Sequence, residues 1–270
     1  MNDSRLVRID QAVADHVNSG DSVFLGGFGH CVPYALAREV MRQEITDLTL
    51  VKSGADVVAD ELVAAGAVRK LVVGYVGNPG VGLAHAVSRA RAAGTLEVEE
   101  WTNFTIILRL HAARLGLPFL PTRVLRAGDL PRVLGNLIGS VRCPFTGEEL
   151  TAVPALVPDV ALIHAQRASV DGAVQLWGVM GDTVIGAAAA RRVVVSAEEI
   201  VSGDTIRERP ELTILSGPRV VAVCHVADGA RPSYVAGHYG RDDAAFREYD
   251  AVARDPERLT QHLAGVGVPL

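Results

Sequence analysis

Ser22-Val-Phe-Leu-Gly-Gly-Phe-Gly-His-Cys-Val-Pro33 carries an apolar run into a glycine turn, then into a helix opened by proline. Glycine lets a backbone come close to a bound group, and the first turn of a helix offers unpaired N–H groups to an anion or oxyanion. Pro33 suits that start because its missing N–H is not needed there. Gly26, Gly27, Phe28 and Gly29 are therefore the candidate substrate-binding, oxyanion-stabilising loop. The plainer alternative is a tight turn and nothing more. A dinucleotide fingerprint fits badly. The spacing is G-G-x-G rather than G-x-G-x-x-G, and the strand Leu48–Val51 runs into Lys52-Ser53 where an acid for a ribose hydroxyl should stand. A nicotinamide cofactor is rejected on that ground.

No side chain offers itself as the engine. A nucleophile needs an adjacent base or an environment that activates it, and no G-x-S-x-G elbow is present. His30 and Cys31 are neighbours in sequence and so point different ways; Cys31 reads as a small buried thiol, and Cys224, within a strand, as core. His16, His111 and His262 fall in helical patterns and read as surface or packing residues. His164 closes an apolar strand and reads as a hydrogen-bonded core histidine. Glu198-Glu199 follow a strand and suit the first turn of a helix. Glu99 and Glu100 end a strand beside Trp101, so that one of them can face a cleft. No catalytic residue is assigned.

The elements that must position these residues alternate regularly. Helix 10–19 precedes strand 22–27, the glycine loop and helix 33–43; strand 48–51, loop 52–55 and helix 56–65 follow. Strand 70–75, loop 77–82, helix 84–93, strand 95–99 and helix 104–115 continue the pattern, with glycines at the stops. An irregular stretch with turn chemistry then runs to about residue 150. Strand 159–165, a hairpin-like segment 170–177, helix 182–190 and strands 192–196 and 219–224 complete the chain. Such alternation predicts one open, mostly parallel, twisted sheet of about seven strands with helices on both faces, in a single domain spanning residues 1–270. Ligands bind such sheets at the loops outside the carboxyl ends of the strands. Those loops carry Ser53, Asn78, Asn103, Gln166 and Ser169, polar and uncharged; the first four are the candidate substrate-orienting residues.

Composition narrows the classes. The chain has 270 residues, 49% hydrophobic and 21% charged, with a formal net charge of −5 and no basic run. Nucleic acid is not expected as a partner. Cys31, Cys143 and Cys224 are odd in number and far apart, without C-x-x-C or ligand spacing, which reads as a reducing compartment and no metal. The start, Met1-Asn-Asp-Ser-Arg, does not resemble a signal peptide, and no apolar run approaches a membrane span. A cytoplasmic protein is expected.

Gly26-Gly27-Phe28, preceded by a strand and by Gly20-Asp21, resembles the first signature of family I coenzyme A-transferases. The usual form has a glycine two residues before the proline; here that place is Cys31, and the loop is one residue shorter. His111-Ala-Ala-Arg-Leu-Gly-Leu-Pro-Phe-Leu-Pro121, Ile163 to Gly172 and Trp177-Gly178 look like the A subunits of this family, of the glutaconate type. So do Ile45-Thr-Asp-Leu-Thr49, Glu198-Glu199-Ile200 and Tyr249-Asp250. The resemblance runs from about residue 8 to about residue 255.

The resemblance implies half of an enzyme. In this family a glutamate of the B subunit, in a Ser-Glu-Asn-Gly type motif, attacks the thioester and becomes a glutamyl-CoA thioester; this chain lacks that motif. The chain would supply the Gly26–Gly29 loop and neighbouring strand ends to a site shared with a B-type partner, as a heterodimer or heterotetramer. Coenzyme A would be a substrate, with no cofactor and no metal. A related steroid-degrading hydrolase of actinobacteria uses an acidic residue after strand 95–99, and that place is Asn103 here, with Glu100 nearby. An amide is no general base, so transfer is favoured. The rivals are a hydrolase of CoA-linked ring intermediates and a non-catalytic acyl-CoA-binding α/β protein. The acyl-CoA and the acceptor acid leave no motif to read.

Overall fold

The computed structural model describes residues 4–269. Its first half is a run of strand–helix units: α1 (Ile9–His16), β1 (Ser22–Leu25), α2 (Tyr34–Arg42), β2 (Leu48–Ala55), α3 (Val57–Ala64), β3 (Val68–Val76), α4 (His85–Ala92), β4 (Glu97–Glu100) and α5 (Asn103–Arg114). Then come β5 (Phe119–Thr122), α6 (Leu130–Leu134), β6 (Gly139–Arg142) and β7 (Glu149–Pro154). The chain continues through β8 (Val160–Ser169), β9 (Val174–Gln175), α7 (Thr183–Ala189), β10 (Arg192–Val201) and α8 (Gly203–Glu208). It closes with β11 (Thr213–Leu215), β12 (Val220–His225), α9 (Asp243–Ala253) and α10 (Pro256–Gly265). No helix among the described residues is long and apolar enough to cross a membrane.

Seven strands lie parallel in the order β12-β10-β8-β1-β2-β3-β4. The two short strands β9 and β11 join antiparallel beside β8. The seven parallel strands are those the apolar runs predict. Successive side chains alternate between two cores, as a period of two requires. Val23 and Leu25 enter the core with α2 and α3, whereas Phe24 enters the core with α5 and α7. Full burial of a ring such as Phe24 is worth roughly 1.5–3 kcal/mol. After β4 the chain returns to the other side of β1, so the strand order reverses between β1 and β8. Crevices for ligands open at such a reversal, outside the carboxyl ends. The glycine loop sits there.

Three expectations change. The stretch to residue 150 is not irregular: β5, β7 and β6 form a separate antiparallel sheet. Their alternation is faint because most of their residues are exposed or half-buried. Residues 52–55 are strand rather than loop, with Gly54 opposite Tyr75 and Ala55 opposite Val76. Finally, β8 and β10 pair on to Ser169 and Val201, which puts Gln166 and Glu198-Glu199 in strands and not in a loop or a helix start. Gln166 and Glu198 are polar yet buried in these strands, a pattern that reads locally as loop.

Candidate active site

Beyond Leu25 the chain turns sharply. Gly27 has φ 82°, and a Cβ there would lie 2.6 Å from Val32 Cα, so the turn requires glycine. Cys31, standing where the family signature has glycine, also takes the left-handed region at φ 49°. The Phe28 ring packs over Gly54, where a Cβ would lie 2.5 Å from it, and at Gly181 a Cβ would lie 2.5 Å from Phe28 Cβ. Beside this ring opens a cavity of about 360 Å³ walled by Phe28, Gly29, Gly54, Ala55, Asp56, Tyr75, Pro79 and Gly80. It lies at the carboxyl ends of β1, β2 and β3 and is mainly apolar.

Beneath the loop lies a fully buried lysine that sequence reading left unassigned. Lys52 Nζ donates to the carbonyls of Leu25 (3.2 Å), Gly26 (2.9 Å) and Gly27 (2.5 Å). The Gly26 amide bonds to Leu162 O at 2.9 Å and the Gly27 amide to Thr183 Oγ1 at 2.8 Å. Among the described residues, the amides of Phe28 and Gly29 have no partner in the chain. The predicted loop Gly26–Gly29 therefore keeps two donors for a ligand, not four.

The polar residues expected to orient substrate divide. Ser53 and Asn103 come together: in the orientation its neighbours demand, the Asn103 amide donates to Ser53 O at 2.8 Å and Gly74 O at 3.2 Å. Asn103 is exposed at the first turn of α5, beside the Thr102–Thr105 capping box. The Ser53 amide in turn donates to the buried Asp182 at 3.1 Å. Asn78 and Gln166 instead bond within the protein. Asn78 is buried and ties its loop to α9 through Phe246 O at 2.9 Å. Gln166 is buried against Trp177, donating to its carbonyl at 2.9 Å and accepting from its amide.

None of the possible nucleophiles around the glycine loop is activated. Burial pushes the Cys31 thiol far up, and neighbouring His30 donates from Nδ1 to Val179 O while Nε2 accepts the Ala236 amide. Burial also keeps His164 neutral, so its Nε2–H donates to Glu198 at 2.8 Å and its Nδ1 accepts from Ser196 Oγ at 2.8 Å. Burial alone would raise the Glu198 carboxyl. Hydrogen bonds from His164, Tyr239 and the Asp228 amide outweigh that and hold it at about 2. Glu99 is likewise committed, to Lys70 (2.7 Å), Trp101 (2.7 Å) and Arg109 (2.9 Å), while Glu100 stays exposed. Asp56, the one carboxyl in the cavity wall, accepts the Val58 amide as the cap of α3; its burial raises its pKa and disfavours the anion.

Residues 6–225 match the family described as Coenzyme A transferase. The chain is 42% identical to the A subunit of 3-oxoadipate CoA-transferase from Pseudomonas knackmussii, over 95% of this chain and 91% of that one. It is 32% identical to the IpdA subunit of a cholesterol ring-cleaving hydrolase of Rhodococcus jostii, over 96% and 90%. Its fold superimposes on the crystal structure of glutaconate coenzyme A-transferase from Acidaminococcus fermentans with a TM-score of 0.91 and 34% identity, covering 97% of this chain and 88% of that one.

Proposed function

Because the chain belongs to the coenzyme A transferase family, we infer that it is the A component of a two-component CoA-transferase working in the cytoplasm with a B-type partner. The observation that carries this reading is a site furnished with free amides and an apolar cavity, yet with no activated nucleophile among the described residues. A glutamate of the partner would complete it. Its carboxylate attacks the thioester carbonyl, the C–S bond breaks, and CoA leaves as thiolate from an acyl-glutamyl anhydride. The thiolate then attacks the glutamyl carbonyl, releasing the first acid and leaving a glutamyl-CoA thioester. The acceptor acid reverses both steps. Each step passes through a tetrahedral oxyanion, which donors in the loop would stabilise. The route calls on no resident cofactor or metal.

The experiment is to incubate the co-purified pair with acyl-CoA, trap covalent CoA and locate it by mass spectrometry. The thioester is expected on a glutamate of the partner. A thioester on Asp56 or Glu100 of this chain, or none with any acyl-CoA, would overturn the reading.

A hydrolase of CoA-linked ring intermediates is the second reading, favoured by the exposed Glu100 at the end of β4. Asn103→Asp adds a charge beside the strand ends without changing shape. With a carboxylate acceptor it raises KM and yields no hydrolysis, and Glu100→Gln leaves transfer within about threefold. Loss of all activity in Glu100→Gln with a normal Asn103→Asp would promote the hydrolase.

A further inference from the structure

We propose that Lys52 is a positioning residue that aims the Phe28 amide into the cleft and strengthens it as a donor. Three consecutive peptides, 25–26, 26–27 and 27–28, turn their carbonyls onto its Nζ. Three acceptors around one nitrogen require three N–H donors, which an ammonium has and a neutral amine lacks. In a trans peptide the C=O and N–H point in opposite directions, and none of these bonds is cis. The first two N–H groups, pointing away from Lys52, meet Leu162 O and Thr183 Oγ1. The third, that of Phe28, is left over, and the Phe28 side chain lines the cavity. A buried cation against the Gly27 carbonyl also polarises that peptide toward a stronger N–H. The loop amide is thus oriented by a charge behind it.

The chain's use of basic residues agrees. Of 26 lysines and arginines only two are lysine, and one of them occupies this point. No single nitrogen of a guanidinium carries three N–H donors.

This inference rests on the transferase reading only for where the oxyanion forms, so the test has two arms. In the first, Lys52→Met, of similar length without charge, is assayed in the reconstituted pair with acyl-CoA and acceptor acid. Loss of one oxyanion donor costs about 10²–10³ in kcat, so kcat is expected to fall roughly 10²-fold with KM changed less than about threefold. Lower thermal stability with kcat per assembled site unchanged would make Lys52 a core residue only and overturn the proposal. In the second arm, the Phe28 ¹H–¹⁵N resonance and its hydrogen exchange are followed in the isolated chain. Both are expected to change in Lys52→Met relative to changes at remote amides; an unmoved Phe28 signal overturns the proposal whatever the activity. Should the wild-type pair show no transfer while the Phe28 resonance responds, the transferase reading fails and the positioning role stands. Should Lys52→Met not fold, replacing the 27–28 amide by an ester through 3-phenyllactic acid at position 28 removes the same donor. An ester form with undiminished kcat would overturn the proposal.

Discussion

At the residue scale the chain commits its buried polar groups to one another. Glu198 is the clearest case, since His164, Tyr239 and the Asp228 amide converge on its carboxylate. Its folded pKa of about 2 lies below the ordinary 4.5. A depressed acid stabilises the fold fully above its unfolded value and loses that contribution as pH falls toward the folded value. The window therefore runs from about pH 4.5 down to about pH 2. Glu198→Gln should cost roughly 1–3 kcal/mol near neutrality by leaving donors imperfectly paired. Thermal melts from about pH 7 to pH 2.5 should show wild type and variant converging in the acid limb. A gap that stays constant across that range would remove the charge from the explanation. Gly27→Val, by contrast, probes little about substrate: its Cβ would strike the Val32 backbone before any ligand arrived.

At the element scale, α5 and the sheet meet through one missing side chain. A Cβ on Gly74 of β3 would lie 2.7 Å from Asn103 Cα, so glycine lets the helix start dock onto the strand end. That docking delivers the Asn103 amide to Ser53 O and Gly74 O. Gly74→Ala should push the first turn of α5 outward and destabilise the chain by about 1–3 kcal/mol, as overpacking does. Urea unfolding gives the stability change, and the Asn103 amide resonance gives the displacement. An unchanged midpoint together with an unmoved resonance would show that the contact yields freely.

At the scale of the whole molecule, the reversal of strand order between β1 and β8 gathers the glycine loop and the Asn103–Ser53 contact at one edge. That edge holds donors and an apolar cavity but no activated nucleophile among the described residues. The isolated chain should accordingly bind acyl-CoA without transferring or hydrolysing it. Adding a B-type partner should restore turnover until every chain is paired. Clear turnover by the purified chain alone, under assay with acetate and several acyl-CoAs, would contradict the two-component scheme.

Much of this was local enough to read from the chain. Seven apolar runs separated by helices and glycine stops determine a parallel sheet, because each strand buried on both faces must be apolar along its length. The glycine at 27 marks a left-handed turn that side chains avoid. The unsuitability of Cys31 and His164 as engines also followed from their settings in the sequence. What only the tertiary structure decided depends on partners distant in the chain. Lys52 reads as a loop residue beside Ser53 and Gly54, and its role appears only when the carbonyls of Leu25, Gly26 and Gly27 fold over it. The bonds of Asn78 to Phe246 and of Gln166 to Trp177 likewise cross long stretches of chain or close only in the fold. A side chain's type states which bonds it can make; the fold decides whether protein or substrate supplies the other half.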